Sequence, residues 1–578
     1  MTGTPVRTRF SGSSPRDADA HSAVWLPGCH TQYQTIVPTP IVAFEQDGEE
    51  SIFVAPDSVE LISQLGTNYT SQLDALNFDW KRLAGAKVVE IEGAPAWDYV
   101  EDFAHNRASA FLDLNIRVNT AFSGYIIYQN DYYQNVGGVA GLRFPERDTL
   151  TLQVVVKNAT EAETVKVPYV SAYIGKPFTN KDDFWANNCM ADNTTNGVDL
   201  KKETPDELFR LKHSKPRRRL LKSEVLDESI KKTILPLPSR FRPSLAPLNG
   251  SEGVVKSYVL PDNKTGVLFV GSFFPDDPET FLHDVVSSVK LIKEAGASQL
   301  LVDVTNNGGG YVVLGGFLHA YLMGSKSLGS FPNPGFQTAI RATPLARKIV
   351  ESAIALNITS EDSFYAPDNW LFLNNTKFPS TYNYLSNVTK KQINGQEYLE
   401  SERLLDYFYD FLGVDIPEEA QFDPAKIAIG ECPPQSQHYL SQIQQRFDIV
   451  SNGYCASTCA HSTTVMYERH NTSLAVYGGK PGLPMEYKGV AGAQVLAWTD
   501  IDTELRTVNL KPGTEWSIPD LSVAGQVSVN WRTAYSFVDE NAPTAYHPEY
   551  PQTRIPYTAE TYNNPQKLWI SAAEKLFG

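Results

Sequence analysis

The chain has 578 residues, 42% hydrophobic and 20% charged, with 50 Lys and Arg against 66 Asp and Glu for a formal charge of −16. At ~100–200 residues per domain that length predicts about three or four domains, and a chain of this size buries most of its apolar surface. The acidic balance argues against nucleic acid or anionic membrane as a general partner, since both select basic surfaces, and no apolar run reaches the ~18 residues that span a bilayer.

Residues 22–60 read as β-structure, with Ile36–Val37 and Ile41–Val42–Ala43–Phe44 broken by Pro38 and Pro40. Lys87 to Gly93 predicts a strand ending in a glycine turn, and Trp97, Val100, Phe103 and Ala104 follow at helical spacing. Two more strands are expected at Leu150 to Val156 and Thr164 to Tyr173, so that 1–185 forms an N-terminal region that is mostly β. Over 186–250 charges and prolines replace aromatics, which predicts a linker or loop. Its run Lys215–Pro216–Arg217–Arg218–Arg219 reads as a solvated segment, or as a processing site for a basic-specific convertase.

From Gly253 the pattern turns regular. Thr265 to Phe273 reads as a buried strand, Phe281 to Ala295 as an amphipathic helix, and Leu300 to Val304 as a second strand running into Asn306–Asn307–Gly308–Gly309–Gly310. Strand, helix and strand with a glycine-rich exit make a βαβ unit of an α/β domain, assigned to 251–578. An Asn-, Ser- and Tyr-rich stretch at about 325–430 reads as an insertion. Phe447 to Val450 and Ser473 to Tyr477 supply further strands, and between them lies Ser451–Asn452–Gly453–Tyr454–Cys455–Ala456–Ser457–Thr458–Cys459–Ala460.

Ser457 follows a strand and a glycine turn and precedes a helical pattern. A hydroxyl there has free backbone N–H groups and the positive end of the helix dipole beside it, which suits a nucleophile whose target oxygen becomes negative. A helix-capping serine would occupy the same position. The loop Asn306 to Gly310 offers backbone N–H groups that can approach a ligand closely, as an oxyanion hole needs, or it is a tight turn alone. Neither glycine-rich nucleotide fingerprint follows the strand. Cys455 and Cys459 flank the serine, and a thiolate at a helix start is the competing nucleophile. Either cysteine could instead pair with Cys432 or Cys189. His461 lies one helical turn past Ser457 and points beside it. No metal-binding spacing and no cofactor motif is present.

The segments "LLVDVTNNGGGYV" and "DIVSNGYCASTCAHSTTVM" resemble the core of the tail-specific, or C-terminal-processing, serine peptidases, and most closely their fungal members similar to the chlamydial protease-like activity factor. The resemblance implies a crotonase- or ClpP-like α/β spiral, preceded by a PDZ-like region on "AKVVEIEGAPAWDYVEDFA". It implies Ser457 as nucleophile, with N–H groups of Thr458 and of Gly308, Gly309 and Gly310 as the oxyanion hole. Two bases stay open. One branch uses a lysine about two dozen residues past the serine, where Lys480 stands in "VYGGKPG". The other uses a histidine in an aspartate-glycine-histidine-threonine motif, whose histidine is matched by His30 in Pro27–Gly28–Cys29–His30–Thr31 while the preceding acid is missing, with a C-terminal glutamate for which Glu549 in "HPEY" is chosen.

By the same resemblance the substrate is a peptide or protein, and fungal relatives suggest processing of ribosomally made precursors of ustiloxin- or phomopsin-type mycotoxins. A general secreted protease and a binding module that kept the fold without the chemistry are the alternatives. Nine N-x-S/T sequons, at Asn68, Asn158, Asn193, Asn249, Asn263, Asn357, Asn374, Asn387 and Asn471, fit a glycosylated, secretory or extracellular protein. Met1 to His21 is polar without a signal-like apolar core, so a native N-terminus carrying the signal is expected upstream.

Overall fold

The computed structural model describes residues 32–248 and 253–578 apart from short breaks and the stretches 201–221, 225–233 and 423–447, together with backbone strands at 23–25 and 222–224. His30, Cys29, Cys432, the basic run at 215–219 and the sequons at Asn193, Asn249 and Asn471 lie outside the described residues.

Alternating apolar residues build the first sheet. Strands β1 (Ile41–Gln46), β2 (Glu49–Val54), β3 (Lys87–Ile91), β4 (Thr149–Val155) and β5 (Glu163–Pro168) pair antiparallel in the order β5-β4-β3-β2-β1. β4 shows the half-buried alternation clearly, with Leu150, Leu152 and Val154 inward. Helix α1 (Ala96–Asn106) covers this sheet with Val100, Phe103 and Ala104. The turn between β3 and α1 is the expected one, with Glu92 and Gly93 both at positive φ. The strand anticipated from Thr164 to Tyr173 is two strands. It breaks after Pro168, whose ring removes the ladder donor, and Val170–Tyr173 pairs with Tyr33–Ile36 in another sheet.

The second sheet is mixed α/β architecture. Strands β6 (Val255–Val259), β7 (Thr265–Val270), β8 (Gln299–Asp303), β9 (Asp448–Ser451), β10 (Ser473–Tyr477) and β11 (Thr553–Ile555) lie side by side in chain order, and all neighbours after the β6–β7 hairpin are parallel. β7 is buried at every position, as a strand covered on both faces must be. Helix α2 (Pro278–Glu294) starts at an Asp277 cap with proline in its first turn and turns Phe281, Leu282, Val285, Val289 and Ile292 into the core. Helices α3 (Val312–Met323), α4 (Thr458–His470) and the final α5 (Pro565–Phe577) complete the layer. Among the described residues no helix is long and apolar enough to cross a membrane.

Two regions are organised differently from their sequence reading. The insertion anticipated at 325–430 does not fold on its own residues. Its strands Gln337–Ile340, Trp370–Leu371 and Leu404–Asp406 are joined by Arg532–Tyr535, and its core takes in Leu496, Leu505 and Trp531. The end of the stretch read as a linker is packed: Ile234–Pro236 pairs with Asp131–Asn135, and Leu237 enters the main core.

The two sheets are tied by buried polar contacts. Asp57, fully buried in the N-terminal region, accepts hydrogen bonds from Gln134 Nε2 at 2.8 Å, Tyr562 OH at 2.8 Å and Asn563 Nδ2 at 2.9 Å. Removing the carboxylate strands three buried donors, so Asp57→Ala should cost about 2–4 kcal/mol. The check is a thermal melt, in which the variant unfolds several degrees below wild type.

Candidate active site

Parallel pairing of β8 with β9, in the register Leu301↔Asp448 to Asp303↔Val450, brings the glycine loop and the serine loop out at one sheet edge. The two loops are then stitched together. Asn307 and Cys455 form a β-bridge, and Ala456 N–H donates to Asn307 O at 3.0 Å. Asn452 Nδ2 donates to Asn306 Oδ1 at 2.8 Å, while Asn306 N–H donates back to Asn452 Oδ1 at 3.2 Å. Asn307 also shapes its own loop, taking the Gly309 N–H on Oδ1 at 2.9 Å and giving Nδ2 to Val270 O at 2.8 Å.

Gly310 has no alternative to glycine. Its φ is 146°, and a Cβ there would fall 2.0 Å from the Phe273 carbonyl group. Gly309–Tyr311 runs as a short strand, and the backbone of Lys222–Glu224 pairs antiparallel with it, Ser223 opposite Gly310. Thr458 Oγ1 donates to Gly310 O at 2.8 Å, which fixes the glycine strand to the start of α4. A Cβ on Gly315 would come 2.7 Å from Thr458 Cγ2, so the first turns of α3 and α4 meet closely. Both positive helix ends therefore face the same loops.

Ser457 is the residue just before α4, fully buried, with φ 58°. Its carbonyl takes the first helical hydrogen bond, from His461 N–H at 2.9 Å. The left-handed conformation of a non-glycine residue costs about 1–3 kcal/mol and collects at functional turns. An ordinary capping serine has extended φ and ψ, so capping does not account for it.

The flanking cysteines correct the sequence reading. Cys455 and Cys459 are bonded to each other, with their Cα atoms 5.3 Å apart, and not to Cys189 or Cys432. As a disulfide neither offers a thiolate, which removes the competing cysteine nucleophile. His461 sits edge-on to Phe336 at 5.4 Å between ring centres. It lines a cavity of ≈ 20 Å³ beside Thr458, with Val312, Gly315, Asp406 and Arg532 among the other walls.

Of the residues considered for base and acid, two can be placed. Lys480 is held by the N-terminal region: its ammonium pairs with Glu101, with Asp98 at 3.9 Å. Glu549 is buried and both of its oxygens are engaged, Oε1 by Lys488 Nζ at 2.6 Å and Oε2 by the Thr464 hydroxyl at 3.0 Å. Lys488 was not singled out in the sequence. It is buried, and its neighbours lock it between the two halves of the site: Tyr487 N–H donates to Glu549 O at 2.8 Å and Gly489 N–H to Cys455 O at 2.9 Å. Lys488, between Met485–Glu486–Tyr487 and Gly489, carries no periodic signal, so only the fold distinguishes it from Lys480.

No family model matches the chain. A peptidase S41 family protein, phomP1', from Diaporthe leptostromiformis is 24% identical over 391 residues, covering 59% of this chain and 57% of that relative. The peptidase S41 family protein ustP of Aspergillus flavus is 23% identical over 394 residues, covering 58% of this chain and 75% of that relative. The chain is thus similar to proteins of the peptidase S41 family. It spans a little over half the length of the Diaporthe relatives it matches. Among solved structures, mature CPAF complexed with lactacystin is similar at 12% identity, with 96% of this chain and 84% of that chain covered and a TM-score of 0.44. The photosystem II D1 C-terminal processing protease is similar at 10% identity, covering 94% and 81%, with a TM-score of 0.23.

The polar side of α4 holds one more carboxylate. Glu468 is pushed up to about 7, first by burial, with the Glu549 carboxylate adding to the rise and a hydrogen bond from Ser536 opposing it. Unfolded, the same group titrates near 4.5. Between those values the folded protein keeps a proton that the unfolded chain releases, so stability falls as pH rises from about 4.5 through 7. Glu468→Gln should therefore match wild type in a melt at pH ~4.5 and be more stable by about 1–3 kcal/mol at pH ~8.

Proposed function

We propose that the chain is a serine peptidase that cleaves peptide bonds through an acyl-enzyme on Ser457. The observation that carries this reading is a serine held in a left-handed turn at a helix start, in a loop stitched to a glycine strand. In the proposed reaction the Ser457 hydroxyl attacks the scissile carbonyl, and N–H groups of Thr458, Gly308 and Gly310 receive the oxyanion; Gly309, expected to join them, has its N–H taken by Asn307 Oδ1. Water then releases the acyl group, using the same base. A binding module has no use for strain at Ser457, which favours the enzyme over that alternative.

His30 is the proposed base, with Glu549 as the acid that orients it. A carboxylate offers about four lone-pair sites, so Glu549 can still accept from an imidazole beside Lys488 and Thr464. Lys480 is a poorer candidate, because its Nζ is committed to the N-terminal region, bonded to Glu101 with Asp98 at 3.9 Å. The parallel sheet with its helices is read as a crotonase- or ClpP-like spiral, and the unit of β1 to β5 with α1 as PDZ-like. Maturation of a ribosomally made precursor peptide in a fungal mycotoxin route is the proposed setting, with general secreted proteolysis as the other. Secretion is supported by the six described sequon asparagines, Asn68, Asn158, Asn263, Asn357, Asn374 and Asn387, all of which are exposed.

Three outcomes test the reading. Ser457→Ala should abolish peptide hydrolysis and labelling by a fluorophosphonate probe while leaving the melt unchanged; retained activity would reject it. His30→Ala should cost at least ~10²-fold in rate, with an acid limb in the wild-type profile near the ordinary histidine pKa of ~6.5. Lys480→Ala should cost far less, and the reverse ranking would move the base to Lys480. Endoglycosidase should lower the apparent mass of protein made with a signal sequence in a secreting eukaryotic host; no shift would sink the secretory assignment.

A further inference from the structure

The Cys455–Cys459 bridge encloses Ser457 in a loop four positions long. In the chain-entropy account a disulfide stabilises a fold in proportion to the logarithm of the loop it closes. This loop is close to the shortest a bridge can close, so its effect on global stability is at the bottom of the range. Its local effect is different. Cys455 belongs to the strand side of the turn, where its carbonyl takes the Gly489 N–H and its backbone bridges Asn307. Cys459 belongs to the first turn of α4, with its N–H on Ala456 O at 3.1 Å. The bond therefore spans the residue whose φ of 58° is the least favourable in the loop.

We propose that the Cys455–Cys459 disulfide is a positioning device for Ser457, and that hydrolysis depends on its oxidation state. The proposal rests on Ser457 as the nucleophile. An L-residue released from positive φ relaxes toward negative φ, and that rotation swings Cβ, and with it the hydroxyl, out of the direction the turn gives it. Fixing the Cα atoms of Cys455 and Cys459 at 5.3 Å opposes the rotation. The main-chain bonds to Asn307 and Gly489 remain in either state, so the fold around the loop persists while the turn loosens. Both sulfurs are buried, so reduction needs a small reagent or a local opening. The exchange is a two-electron step. A thiolate of an external dithiol attacks one sulfur to form a mixed disulfide and releases the other cysteine as thiolate, which takes up a proton. The second external thiol then closes its own ring and releases the first cysteine.

The test uses the full chain in two arms. In the first, wild type is treated with dithiothreitol under native conditions, and the gain of two alkylatable thiols is confirmed by mass. The expected result is a fall of about 10²-fold in kcat, the scale set by misplacing a reacting group by about 1 Å. KM and the melting temperature should stay close to the oxidised values, and activity should return with oxidised glutathione. In the second arm, the double variant Cys455→Ala/Cys459→Ala should show the same low kcat, near-native melting, and no response to reductant. This arm decides the matter where the bond resists reduction. Full activity in the reduced protein or in the double variant would overturn the proposal. So would a variant that fails to fold or melts far lower, because that result would show a bond the whole domain needs. Absence of hydrolysis and of fluorophosphonate labelling in oxidised wild type would instead reject the peptidase reading itself.

Discussion

Everything at the candidate site depends on β8 and β9 being adjacent, parallel and in one register. Two loops 146 residues apart in sequence can share an asparagine clasp only if their strands end at the same height. Parallel strands need crossover connections, which here are α3 with the insertion behind it, so the candidate site is assembled from distant segments. The Asn307–Cys455 bridge and the Asn306–Asn452 amide pair then convert that common height into a fixed distance between the glycine strand and Ser457.

Buried polar groups hold this edge from below and from the N-terminal side. Asp303, at the end of β8, accepts from Thr305 N–H at 2.9 Å, Trp569 Nε1 at 2.6 Å and Tyr125 OH at 3.2 Å, joining the central strand to α5 and to the N-terminal region. Burial raises its carboxyl above the ordinary range, and the donors act against that rise. Asn119, also from the N-terminal region, gives Nδ2 to Asn452 O and Tyr477 O and takes the Gly479 N–H on Oδ1. Arg554 on β11 meets Glu50 of β2 with two parallel bonds, at 2.7 and 2.6 Å. The N-terminal unit is thus built into the scaffold that carries the site, and Lys480 serves that union through Glu101.

The buried pair Lys488–Glu549 gives α4 a polar flank inside the core. A pair this enclosed adds little net stability, since desolvation offsets most of the attraction. Its weight is in specificity of arrangement: Thr464, Glu549 and Lys488 satisfy one another, and the Glu549 carboxylate is held against α4 at Thr464, two turns beyond Ser457. Glu468 next to it, with its raised pKa, shows how little unpaired charge the same environment tolerates.

Local sequence was enough for the elements whose signals are local. The buried run of β7, the apolar face of α2, the exact span of β10 and the turn at Glu92–Gly93 follow from periodicity and glycine chemistry within a few residues. The glycine strand and Ser457 stood out for the same reason, as a strand exit and a helix start. What lay beyond reach depended on a turn conformation or on chain segments that meet only after folding. Cys455 pairs with Cys459 and not with a distant cysteine because the turn brings their Cα atoms within bonding range. Lys488 differs from Lys480 in its deeper burial and in which carboxylate packing places beside it, Glu549 or Glu101. Arg532 reaches Asp406 across 126 positions to wall the cavity beside Thr458, and the insertion borrows its core from residues past 495. Spacing along the chain carries no information about such pairs, because burial and register, properties of the assembled sheets, select them.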